Sequence, residues 1–176
     1  MKSENKSKTL TIMLCALFAG LSIALSPVKI PIGPIPVGLV HISIFLSAGL
    51  LGWKKAAISQ TVFVLIGLAG VPIFAPSGLP GATGGFIISY IACAFVTGLI
   101  IEKFGLSYPV LFIAMTAGWA ATYLIGVPWF MYVTKSEFIP ALTMSMLPFL
   151  PGDAVKTVMC AVLIKRLAPI VKKEML

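Results

Sequence analysis

The sequence predicts an all-α membrane protein of six transmembrane helices, and three observations predict it. The chain of 176 residues is 59% hydrophobic and 10% charged, with a mean hydropathy of +1.08; a soluble domain carries roughly 25% charged residues. A globule of this length leaves too much surface exposed to hide such an apolar surplus. The apolar residues fall into six stretches separated by polar, Gly-rich or Pro-rich breaks. The basic residues crowd onto alternate breaks, the signature of a chain threaded through a bilayer. A soluble enzyme, a nucleic-acid binder and a disordered chain all fit this composition poorly.

A spanning helix needs roughly 20 apolar residues, fewer when its ends are polar or Gly-rich. The spans are predicted at 9–26, 37–52, 56–70, 84–101, 108–125 and 154–167, in one membrane domain covering 1–176, after a cytoplasmic tail of residues 1–8. Pro27 stops the first. That stretch has a rival reading as a cleaved signal peptide, with Lys2, Lys6 and Lys8 leading an apolar run to a small-x-small Ala24-Leu25-Ser26. The run is long for a signal core, and five further spans follow. The second and third spans are short and sit poorly alone in lipid, so they belong in a packed bundle.

Loop charges set the orientation. With the N-terminus in the cytoplasm, the inner segments carry Lys2, Lys6, Lys8, Lys54, Lys55, Lys103, Lys165, Arg166, Lys172 and Lys173, ten of the 13 basic residues. Lys29 and Lys135 fall outside, and Lys156 lies just inside the sixth span. Both termini are therefore expected in the cytoplasm. The net charge of +8 follows from this bias and needs no nucleic acid.

The inner breaks are short, at 52–55 and 102–107. The outer ones, at 27–36, 70–85 and 126–152, are longer and rich in Gly and Pro. Their aromatic residues (Phe74, Trp129, Phe130, Tyr132, Phe149) argue against disorder. Irregular backbone at membrane depth must line a cavity or be covered by protein. These extracellular loops are thus expected to form a ligand cavity open to the outside.

Few residues can carry chemistry there. The three cysteines, Cys15, Cys93 and Cys160, lie in apolar stretches at spacings that match no metal or redox motif, and read as small buried hydrophobes. One histidine and five carboxylates make neither a metal set nor a paired acid and base, so no metal, cofactor or catalytic centre is expected. The sharpest signal is Pro148-Phe149-Leu150-Pro151-Gly152-Asp153-Ala154-Val155-Lys156. Asp153 reads as the N-cap of the sixth helix, with Lys156 on the same face. A lysine one turn into an apolar helix costs roughly 2.5–3.5 kcal/mol on insertion scales, so it needs an interior partner. Two readings stand: a structural ion pair that satisfies itself, and a ligand site. For the second, the helix N-terminus and Lys156 supply positive potential for an anionic group, and Asp153 accepts ligand N–H groups.

The second signal is Gly81-Ala82-Thr83-Gly84-Gly85-Phe86. Gly81 and Gly84 permit close approach of a ligand, Thr83 offers a hydroxyl and Phe86 an aromatic face; simple helix packing is the competing reading. It is not a phosphate loop, since no lysine follows the glycines. His41, at the outer end of the second span, and Tyr90, one turn below Phe86, are further candidates for ligand contact, as is Phe74 in the outer loop. Met144, Met146 and Trp129 read as packing. Ala16, Gly20 and Ala24 place small residues at four-residue intervals on the first helix, where another helix, internal or from a partner, can approach closely.

Five blocks stand in order: Ile30-Pro31-Ile32-Gly33-Pro34-Ile35-Pro36-Val37, Gly49-Leu50-Leu51-Gly52, Gly67 through Ala75, Ala82-Thr83-Gly84-Gly85-Phe86, and Pro148 through Lys156. Together with the length and the six spans, they closely resemble the BioY family, the biotin-specific S components of energy-coupling factor (ECF) transporters. The resemblance covers about residues 10–167. It implies that Asp153 and Lys156 bind biotin captured from outside for ATP-driven uptake. It also implies partners: a membrane-embedded T subunit, docked on the Ala16-Gly20-Ala24 face, and two ATPase subunits. The chain has no Walker motif of its own. Three positions depart from the family's usual pattern. Ala82 stands where Pro is frequent, Phe86 where Tyr is, and His41 where Gln is, which affects the hydrogen-bond pattern and not the location of the site. The location implied is the cell membrane of a prokaryote, crossed several times and surrounded by lipid. Alternatives are an S component for another vitamin or a biotin precursor and, from other classes, a small membrane enzyme with Asp153 as base, or a channel.

Overall fold

The computed structural model describes residues 2–30, 37–70 and 81–175. The chain runs α1 (Lys2–Leu25), a two-residue antiparallel pair β1 (Lys29–Ile30) and β2 (Val37–Gly38), then α2 (Val40–Leu51), α3 (Trp53–Leu68), α4 (Gly84–Phe104), α5 (Tyr108–Thr134), α6 (Phe138–Ser145) and α7 (Leu150–Met175). A helix lies over each expected span, but six boundaries move outward and one helix is new. The backbone of α1 is already helical at Lys2, where Lys and Glu are good helix formers. α3 starts directly after Gly52, whose φ of +82 reverses the chain at a value side-chain-bearing residues avoid. α5 runs through Pro128 to Thr134, well past the expected end at 125. α7 starts at Leu150 and passes through Pro169. The short α6 lies within the segment read as a long outer loop.

α2 is the centre of the bundle. Ten of its residues are buried, with Ile44, Phe45 and Ala48 fully inaccessible, as expected of a helix apolar on every side. Around it pack Phe18 of α1, Cys93 and Ala94 of α4, Leu111, Ala114 and Met115 of α5, and Cys160 and Ile164 of α7. A smaller cluster joins Val40, Phe63, Val64 and Ile87 across α2, α3 and α4. Several buried hydroxyls find partners inside, whereas Gln60 Nε2 has none among the described residues. Ser22 Oγ lies 2.9 Å from Ser43 Oγ and 3.2 Å from Gln60 Oε1, and Ser43 donates to the Phe18 carbonyl (2.9 Å), tying α1 to α2 and α3. Buried hydroxyls without such partners are costly in an apolar interior.

α3 and α4 meet at Gly98. A Cβ there would stand 2.6 Å from Trp53 Cα and 2.8 Å from Trp53 N, backbone atoms that cannot step aside. The glycine is what lets these two helices approach.

The outer surface is oily. Ile113, Leu124, Ile139 and Ile170 are each more than half exposed, and α4 and α5 are long and apolar enough to cross a membrane. One end of the bundle gathers Lys54, Lys103, Lys165 and Arg166, and there Lys165 Nζ donates to the Leu106 carbonyl at 3.0 Å. Asp153 and Lys156 lie toward the opposite end.

Candidate functional site

The site is built on the first turns of α7. The sequence reads Asp153 as an N-cap, but the helix opens three residues earlier. Pro151 is compatible with a first helical turn, and the Asp153 N–H is already bonded to the Phe149 carbonyl at 2.9 Å. Asp153 therefore offers its side chain to the site and not a free backbone donor. Spaced i and i+3 on one face, Asp153 and Lys156 form an ion pair of 2.7 Å. They are 4% and 5% exposed.

Neither charge rests on the other alone. Tyr123 of α5 donates its hydroxyl to Asp153 Oδ2, and Lys156 takes Oδ1. Lys156 Nζ also donates to the Gly38 carbonyl at 3.2 Å and sits 4.9 Å from the centre of the Trp119 ring, a cation–π arrangement. The Trp119 indole N–H donates to Thr157 Oγ1 at 3.1 Å, and the Thr157 hydroxyl donates to the Asp153 carbonyl at 2.8 Å.

An aromatic cage continues from this pair. His41 lies 4.2 Å from Trp119 and 4.9 Å from Tyr90, edge to face with the latter, and Tyr123 stacks on Trp119 at 6.1 Å. Phe86 meets Tyr123 edge to face at 6.3 Å. Among the described residues His41 Nε2 is buried and has no hydrogen-bond partner, a cost that a polar ligand atom would remove. Between α5 and α7 a cleft of about 340 Å³ opens onto Asp153, walled by Phe112, Trp119, Leu150, Thr157 and Val158.

The fold thus brings together Asp153, Lys156, His41, Tyr90 and Phe86. The glycine block lies elsewhere: the Gly81 carbonyl accepts from Trp129 Nε1 at 3.0 Å, Gly84 is buried at the start of α4, and Thr83 is exposed. No described contact joins these three to the pair; Gly81 ties the start of α4 to the end of α5 through Trp129. Phe74 and the outer segments at 31–36 and 71–80 lie outside the described residues. Ala16, Gly20 and Ala24 are all exposed on α1, beside exposed Ile12, Met13 and Leu17, while Phe18 and Ser22 on the other face are buried. Among the described residues no cluster of three or more His, Cys, Asp or Glu could hold a metal. Sequence reasoning missed Trp119, Tyr123, Thr157 and the Gly38 carbonyl. Trp119 and Tyr123 stand one turn apart in an apolar span, and that polar-tipped aromatic pairing is the signal available.

A buried ion pair and an aromatic cage thus lie inside a bundle with an oily exterior. The profile described as the BioY family matches residues 1–173, and the chain belongs to that family. The biotin transporter BioY of Thermotoga maritima is 32% identical over 156 residues, covering 86% of this chain and 91% of that protein. The biotin transporter BioY of Rhodobacter capsulatus is 34% identical over 180 residues, covering 89% and 92%. The fold matches the crystal structure of the S component for biotin from an ECF-type ABC transporter, with a TM-score of 0.82, 27% identity and 93% of each chain covered. These relatives are transporters and not enzymes.

Proposed function

We propose that the protein captures biotin as the S component of an ECF-type uptake system, with Asp153 and Lys156 as the polar grip. The observation that carries this reading is the buried pair itself, walled by aromatic rings in a chain of the BioY family. Each Asp153 oxygen takes one hydrogen bond from the protein and keeps acceptor capacity for ligand N–H groups, which the ureido ring of biotin supplies. Lys156 provides a full positive charge for an acceptor oxygen, ureido or carboxylate, which takes the place of the Gly38 carbonyl. Tyr90 and Phe86 offer flat apolar faces to the fused rings, and His41 adds a polar contact through Nε2. Thr83, Gly81, Gly84 and Phe74 belong to the outer rim of the same reading.

In this reading the chain is a single domain crossing the cell membrane of a prokaryote six times, on α1 through α5 and α7. Both termini are cytoplasmic, because the Lys54, Lys103 and Lys165 end follows the positive-inside rule. The exposed Ala16-Gly20-Ala24 stripe docks the T subunit, small residues letting a partner helix approach, and two ATPase subunits supply the energy. Membrane lipid covers the remaining apolar surface.

Mass spectrometry of small molecules released from detergent-purified protein tests the function. Biotin in near-stoichiometric amount is expected; desthiobiotin, riboflavin or thiamine in its place refutes the assignment. His41→Phe keeps a ring on Trp119 but removes Nε2. Calorimetry is expected to show biotin affinity about tenfold lower, the value of one buried hydrogen bond at the upper end of its range; unchanged affinity removes His41 from the site.

A further inference from the structure

We propose that Trp119 and Tyr123, one turn apart on α5, are positioning residues that hold the Asp153–Lys156 pair in the geometry its ligand needs. The inference rests on that pair being the biotin site. Tyr123 takes Oδ2 while Lys156 takes Oδ1, so the carboxylate is held at both oxygens. With one tether removed it turns about a broad, roughly two-fold torsion. Trp119 works on the backbone and on the base together. Its N–H reaches Thr157, whose hydroxyl reaches the Asp153 carbonyl, and its ring lies under the Lys156 ammonium. One face of α5 thus supplies a donor to the acid and a π-surface to the base. A phenol and an indole inside an apolar helix each need a polar partner, and both find theirs in this one turn of α7.

The experiment is a calorimetric titration of the purified full chain with biotin, combined with infrared spectra of the Asp153 carboxylate stretch, identified by its disappearance in Asp153→Asn. Tyr123→Phe is expected to weaken binding about tenfold, the loss of one hydrogen bond to a charged group, and to shift the carboxylate band. In an Asp153→Asn background the same change is expected to weaken binding less than about twofold, since double-mutant cycles report such coupling. An unshifted band, or equal losses in both backgrounds, overturns the proposal and leaves the biotin site standing. Unchanged affinity in Asp153→Asn itself overturns the site, and the proposal with it. Where Tyr123→Phe does not fold, Thr157→Val tests the other arm. A several-fold loss of affinity that Trp119→Phe does not deepen supports the proposal, and unchanged affinity overturns it.

Discussion

Asp153→Ala is expected to lower the stability of the protein by about 3–5 kcal/mol, the cost of stranding one member of a buried ion pair, and to abolish biotin binding in the same step. Lys156 is 5% exposed. Without the carboxylate it retains the Gly38 carbonyl and the Trp119 ring, which leaves its charge uncompensated in an apolar surround. The two effects separate in a second variant. Asp153→Leu with Lys156→Met replaces the pair by apolar side chains of similar size, a change that is often neutral or stabilising. Denaturant unfolding in detergent is expected to show most of the lost stability restored, while calorimetry shows no biotin binding. If the double variant binds biotin at the original affinity, the pair is structural and the proposed site is wrong. If it stays as unstable as Asp153→Ala, the instability came from lost packing and not from the stranded charge.

Gly98→Ala is expected to destabilise by about 1–3 kcal/mol, the usual range for overpacking. Helix propensity alone argues the reverse, since alanine in a helix interior is better than glycine by up to about 1 kcal/mol. The new methyl group would stand 2.6 Å from Trp53 Cα, so α3 and α4 must separate. Trp53 in turn packs edge to face on Phe95 at 5.0 Å, and the separation loosens that contact as well. Gly20→Ala on α1 is the control: among the described residues nothing beyond its own turn of helix lies within 4 Å of its added Cβ, and propensity there is expected to yield a small gain. A common sign for both variants would show that close approach does not decide the outcome at Gly98.

Much of the architecture was legible because its determinants are local. Apolar runs bounded by charge or glycine located α2, α3, α4 and the start of α5, and alternate crowding of lysines located the two ends of the bundle. What escaped depends on tertiary partners. The span expected to end at 125 continues through Pro128, with Trp129 fastened to the Gly81 carbonyl at 3.0 Å. α6 has eight residues around Pro140, too few for periodicity to stand out from a Pro-rich loop. Asp153 and Lys156 were conspicuous as charges in an apolar field. Trp119 and Tyr123 were not, since an aromatic residue in such a field becomes a ligand holder only when another helix brings it an acid and a base. The glycine block carried an ambiguous signal: glycines serve close approach of a helix as well as of a ligand, and here the Gly81 carbonyl takes the indole N–H of Trp129 on α5.

The twelve residues of α2 rise about 18 Å at 1.5 Å per residue, well short of the roughly 30 Å hydrocarbon slab of a bilayer. During biogenesis a segment so brief gains little by partitioning alone from the insertion machinery into lipid. Gly52 folds it back on α3 without an intervening loop, so the two form one inverted wedge. The seat of His41 on that wedge is closed by rings from segments later in the chain, Tyr90 of α4 and Trp119 of α5.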